Sequence, residues 1–157
     1  MGVIFGVKYF LSKLKTKYSN FYVLVNSSFE VVNQLNELHN NPYDMQLHLI
    51  SFDFSSLYTS IDNNTVIYSF MFFQEHLNID ACTINFMLDL FNYIKHNVFF
   101  HIGFKRLFLQ KQGLAMGSYD SADIVNLVLF ISEIRLLKFS NVCNRILYMA
   151  RYIDDGT

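Results

Sequence analysis

The stretch that decides the fold is Ser51-Phe52-Asp53-Phe54-Ser55-Ser56-Leu57-Tyr58-Thr59-Ser60-Ile61. Leu47, Leu49, Ile50 and Phe52 make residues 46–54 read as a buried strand, and that strand runs into a carboxylate, Asp53. Such a group is costly to bury without a partner. Its ordinary alternative is a strand-ending Asp that accepts backbone hydrogen bonds in a turn. Just downstream, Asp62-Asn63-Asn64 offers a helix N-cap, and Val66, Phe70, Phe73 and Leu77 repeat on one helical face. Asp80 offers a second cap, ahead of Ile84, Met87, Leu88, Phe91 and Ile94.

Working towards the N-terminus, Val3, Val7, Phe10, Leu11, Leu14 and Tyr18 predict an amphipathic helix. Ser27 and Glu30 have capping-box spacing ahead of a second helix marked by Val31, Val32, Leu35 and Leu38, which Asn40-Asn41-Pro42 stops. Towards the C-terminus, residues 98–102 and 106–110 predict two strands joined around Gly103. A small-residue loop over 112–118 leads into a long helix, roughly 120–138, with Ile124, Leu127, Val128, Ile131 and Ile134 facing inward. A last strand spans 146–153 and meets Asp154-Asp155. No repeat, linker or low-complexity segment interrupts the chain. Helices falling between separated strands predict an α+β fold, a mostly antiparallel sheet packed on helices.

Composition bounds the function. The 157 residues suffice for one domain with a sizeable core. With 52% hydrophobic and 16% charged residues the chain is not disordered, and some apolar surface is expected to be covered by something else. The net charge of −1 argues mildly against a nucleic-acid protein, since phosphate binding calls for basic residues. Lys8, Lys13, Lys15 and Lys17 form a basic cluster that reads either as a solvated helix face or as a phosphate-binding strip. Cys82 and Cys143 lack metal-ligand spacing, and the histidines are scattered, so neither a zinc site nor a disulfide framework is read. The longest apolar run, 124–131, broken only by Asn126, is too short to span a bilayer. No targeting signal fits, and a soluble, intracellular protein without a membrane partner is expected.

Two further segments bear on chemistry. Gln112-Gly113-Leu114-Ala115-Met116-Gly117-Ser118 carries glycines that let backbone come close to a ligand or a neighbouring strand; the plain alternative is a loop into a helix. Arg151-Tyr152-Ile153-Asp154-Asp155-Gly156 puts two carboxylates where a hairpin tip is expected. Adjacent like charges repel, so a cation would ease that turn; the alternative is an exposed turn.

In this order the three segments resemble motifs A, B and C of the reverse transcriptase superfamily. The resemblance rests on Asp53-x-x-x-x-Tyr58, Gln112-Gly113 and Tyr152-x-Asp154-Asp155, with the hairpin over 98–110 in the expected place. The run Ser56-Leu57-Tyr58-Thr59-Ser60-Ile61, with Ala115-Met116-Gly117-Ser118 and Arg151-Tyr152-Ile153-Asp154-Asp155, is most similar to Penelope-like retroelements. It departs from them at Asp62, where a Pro often stands, and over 119–123, where Pro-containing sequence is usual.

The resemblance implies an incomplete polymerase palm: a helical lead-in or fingers part over about 1–45, a palm over about 46–157, and no thumb. It implies RNA-directed DNA polymerase chemistry with an RNA template, a DNA primer and deoxynucleoside triphosphates. Two Mg²⁺ ions, or Mn²⁺, would be held by Asp53, Asp154 and Asp155 with the Phe54 carbonyl. Tyr58, Gln112 and Gly113 would contact the incoming nucleotide, and Tyr152, Met116 and Gly117 the primer and template. Little polymerase activity is expected of this chain alone. The alternative from another class is a non-catalytic remnant acting as a nucleic-acid-binding or interaction module.

Overall fold

A computed structural model describes residues 2–18, 23–25, 27–40, 48–103, 106–118, 120–139, 146, 148–152 and 155–156. The elements in chain order are α1 (Gly2–Lys17), β1 (Val23–Leu24), α2 (Ser28–His39), β2 (Phe52–Asp53), α3 (Leu57–Ser60), α4 (Asn63–Leu77), α5 (Ala81–Lys95), β3 (Phe99–His101), β4 (Leu107–Leu109), α6 (Ser121–Phe139), β5 (Ala150–Tyr152) and β6 (Asp155–Gly156). One sheet has the order β1-β5-β6-β2; β3 and β4 form a separate antiparallel hairpin. The fold is α+β with mostly antiparallel pairing, as expected, but β1 runs parallel to β5.

α6 is the centre of the core. Ile124, Val125, Leu127, Val128, Leu129, Phe130, Ile131 and Ile134 are all buried, so the helix is enclosed nearly all round rather than on one face. α1 and α4 pack directly against it, and α5 packs on both of them. Phe10 of α1 stacks on Phe73 of α4 with ring centroids 4.5 Å apart, and both rings meet Phe70 edge-on or tilted at 6.4 Å. All three side chains are at most 1% exposed, and full burial of each contributes about 1.5–3 kcal/mol. The first helix is therefore part of the core that carries the sheet.

Two helix starts follow the sequence. Asp62 caps α4 by accepting from Thr65 N at 2.7 Å, and Asp80 caps α5 by accepting from Thr83 N at 2.8 Å. The Thr65 and Thr83 hydrogen bonds hold these carboxyls below their ordinary value.

Other expectations are corrected. α2 forms, but Ser27 makes no side-chain cap hydrogen bond and no residue of the helix is buried. Of the buried strand expected over 46–54, residues 46–47 lie outside the described residues and only β2 forms in the rest; Leu49 and Ile50 are more than 70% exposed. Both residues of β2 are exposed, so no layer encloses its faces. Of the strand expected over 146–153, β5 forms at 150–152, Ile146, Tyr148 and Met149 are not in a strand, and Leu147 and Ile153 lie outside the described residues. Of the basic cluster, Lys8, Lys13 and Lys17 are exposed and Lys15 half-buried, as on a largely solvated helix face. No helix among the described residues is long and apolar enough to cross a membrane.

Phe10→Ala is expected to lower unfolding stability by about 3–5 kcal/mol, from burial loss plus the cavity left. Phe99→Ala, on the exposed hairpin, should change it by less than ~0.5 kcal/mol. Denaturant melts of the two variants check this, and equal effects would contradict a core built on α1.

Candidate active site

The three segments are brought together in pairs. The first contact joins β2 and β6: they are antiparallel, with Phe52 opposite Gly156 and Asp53 opposite Asp155. Cα atoms of such partners lie ~4.5–5.5 Å apart, and positions directly opposite share a face of the sheet. Asp53 is exposed, so it carries no burial penalty where it stands. Tyr152 of β5 is in turn paired with Asp155 of β6. Ile153 and Asp154 lie outside the described residues, as do the side chains of Tyr152 and Asp155.

The second contact joins the Asp53 segment to the glycine loop. Leu114 N donates to the Tyr58 carbonyl at 2.7 Å. Gly113 has φ of +76°, and a Cβ there would lie 2.8 Å from Thr59 Cα and 2.9 Å from Tyr58 O. A glycine is therefore required twice over, by backbone conformation and by close approach to α3. The backbone that this glycine approaches is that of helix α3, not of a neighbouring strand. Gln112 is exposed, and its carbonyl accepts from Gln110 Nε2 at 3.0 Å. Met116 is 72% exposed, and Gly117 faces open space. Tyr58 is half-buried against the core, and Phe54 packs on the same cluster.

The third contact joins α6, which follows the glycine loop, to β5. Arg151 is 1% exposed, and its Nε donates to Glu133 Oε1 at 2.8 Å. The guanidinium also donates to the Asn126 side-chain oxygen at 2.8 Å and to the Asn126 carbonyl at 3.4 Å. The sequence pattern assigned none of the three residues a role, though Arg151 stands in the third segment and Asn126 interrupts the apolar run. The available signal was a cation inside an apolar strand, together with Asn126 and Glu133 seven apart, two turns along one face of an apolar helix.

Among the described residues no group of three or more His, Cys, Asp or Glu gathers as a ligand set. The carboxylates of Asp53 and Asp155 nonetheless belong to neighbouring strands in direct register, and their hard oxygens suit Mg²⁺ or Mn²⁺.

No family model and no curated protein matches this chain. A solved structure does: apo telomerase from Candida tropicalis, truncated from its C-terminal domain, with a TM-score of 0.72 at 18% identity over 99% of this chain. Telomerase is a reverse-transcriptase-related enzyme. The fold is reverse-transcriptase-like. This chain spans 33% of that telomerase chain, and the likeness is one of fold. Within the reverse-transcriptase-like fold, Asp53 and Asp155 are paired across the sheet, and the glycine loop is fastened to the helix that follows Asp53.

Gly113→Ala is expected to cost about 2–4 kcal/mol, combining backbone strain with a clash against fixed backbone. Gly103→Ala, also at positive φ but with nothing within 4 Å, should cost about 1–2 kcal/mol from conformation alone. Thermal or denaturant unfolding compares the two, and equal losses would contradict the close approach to α3.

Proposed function

We propose that this chain is the palm of an RNA-directed DNA polymerase from a Penelope-like retroelement. The observation that carries the reading is the register that sets Asp53 opposite Asp155 inside a reverse-transcriptase-like fold. Asp53, Asp154 and Asp155, with the Phe54 carbonyl, would hold two Mg²⁺ ions, or Mn²⁺. When bound, such ions stabilise charge on the entering and leaving oxygens of nucleotidyl transfer and lower the pKa of the attacking hydroxyl.

The chain's own residues supply placement. Tyr58, held against the core, offers an aromatic surface beneath the sugar of an incoming deoxynucleoside triphosphate. Gln112 is exposed beside it in the glycine loop, and Gly113 fixes that loop against α3. Met116 and Gly117, both exposed, and Tyr152, on the strand leading into Asp154, are assigned to the DNA primer and RNA template. The telomerase likeness supports template and primer as partners. The division into a helical lead-in over about 1–45 and a palm over about 46–157 belongs to the same proposal, with both parts sharing one core. The Penelope-like assignment rests on the Ser56–Ile61 run and the residues around Met116 and Tyr152.

Calorimetric titration with Mn²⁺ is expected to show binding that Asp53→Asn removes. Primer extension by a polymerase containing this palm should fall at least ~100-fold with Asp53→Asn or Asp154→Asn. Extension on RNA against DNA templates assigns the template. Absence of any Asp53-dependent cation binding would contradict the proposal and favour a non-catalytic nucleic-acid-binding or interaction module.

A further inference from the structure

We infer that Arg151 is a positioning residue, a register lock that fixes where β5 and its partner β6 place Asp155 relative to Asp53. The inference deepens the polymerase reading and rests on it for its consequence, though not for its geometry. β5 is three residues long and β6 two. Ladders this short hold few hydrogen bonds, and a one-residue slip moves each side chain to the other face. The two-residue connection sets β6 against β5, so what is left to choose is the register of this hairpin against β2 and α6.

Arg151 has the properties to do so. Its guanidinium is a planar, rigid fork. Glu133 engages one edge, and the Asn126 side chain and carbonyl engage the other. Contacts to both edges of a planar group fix its orientation as well as its position. Both Glu133 and Asn126 stand on α6, the most deeply packed helix. The strand is thus referenced to the least movable element in the fold.

Energetics point to register rather than bulk stability. Burying an ion pair carries a large desolvation cost, and well-packed apolar residues often serve stability equally well. Slippage by one residue would place Ala150 or Tyr152 against Glu133 and leave a buried carboxylate without its cation. That penalty falls on the wrong register alone. The correct register is the one in which Asp155 pairs with Asp53 across the ladder.

The test uses the full 157-residue chain and the double variant Arg151→Met with Glu133→Leu. Backbone NOEs between residues 52–53 and 155–156 read the register, and Mn²⁺ titration reads its consequence. The double variant is expected to unfold at or above the unsubstituted chain's midpoint, because the core stays filled. It should nevertheless lose the 53–155 NOEs or show a second set, and bind Mn²⁺ about tenfold more weakly. A merely structural role would give the reverse: a lower midpoint with the NOEs intact. Retention of the native NOEs in the double variant overturns the lock, as does their absence from the unsubstituted chain. Should the double variant fail to fold, Asn126→Ala removes one edge of the grip and keeps the ion pair. It is expected to weaken the same NOEs, and unchanged NOEs would then overturn the lock. If the unsubstituted chain binds no Mn²⁺, the polymerase reading fails, and the NOEs alone decide the lock.

Discussion

The candidate site depends on an antiparallel pairing only two residues long on each side, Phe52–Asp53 against Asp155–Gly156. Two-residue strands cannot specify themselves: a short ladder offers little enthalpy against the conformational entropy of the chain. Stability must come from what the strands are attached to. On one side, β2 leads into α3, whose Tyr58 carbonyl is bonded to Leu114 of the glycine loop. On the other, β6 is paired to β5, and β5 is gripped by α6 through Arg151. The glycine loop runs into α6, so the three segments close into a ring around one helix.

That helix explains why the molecule is dominated by helical packing although its proposed chemistry lies on strands. α6 is buried along most of its length; α1 and α4 pack on it, α5 packs on those two, and Phe10, Phe70 and Phe73 form an aromatic cluster between α1 and α4. These helices supply most of the buried apolar area, and hence most of the hydrophobic stabilisation. β2 contributes little buried area and is exposed, which leaves Asp53 accessible to solvent and to ligands. Lys8 of α1 lies 3.9 Å from Asp123 in the first turn of α6, so α1 also reaches the start of that helix.

Much of this was legible in the residues. Helices announce themselves twice, by periodicity and by caps, and Asp62 and Asp80 cap where their side chains and following residues demand. Strands do so only through alternation, which needs length; β1 and β6, at two residues each, are below what any pattern can show. The run over 46–54 misled because a continuous apolar stretch reads the same whether or not both its faces are covered. The capping box at Ser27 failed because spacing permits such a bond without supplying the core contacts that would hold it. Long-range facts were the least legible. No local pattern encodes the parallel pairing of Val23 with Ala150 or the reach of Arg151 to Glu133. For the site itself, order and spacing identified the three segments, whereas their mutual fastening required coordinates.

The most direct test of the central claim is paramagnetic. Mn²⁺ added in small amounts to isotopically labelled chain broadens NMR signals of residues close to its binding site. Asp53 and Asp155 are far apart in sequence and adjacent in the sheet. The account predicts that signals of residues 52–54 and 155–156 broaden together, at the lowest Mn²⁺ concentrations and before any others. Broadening of one strand without the other, or first at carboxylates elsewhere such as Asp89 or Glu37, would contradict it.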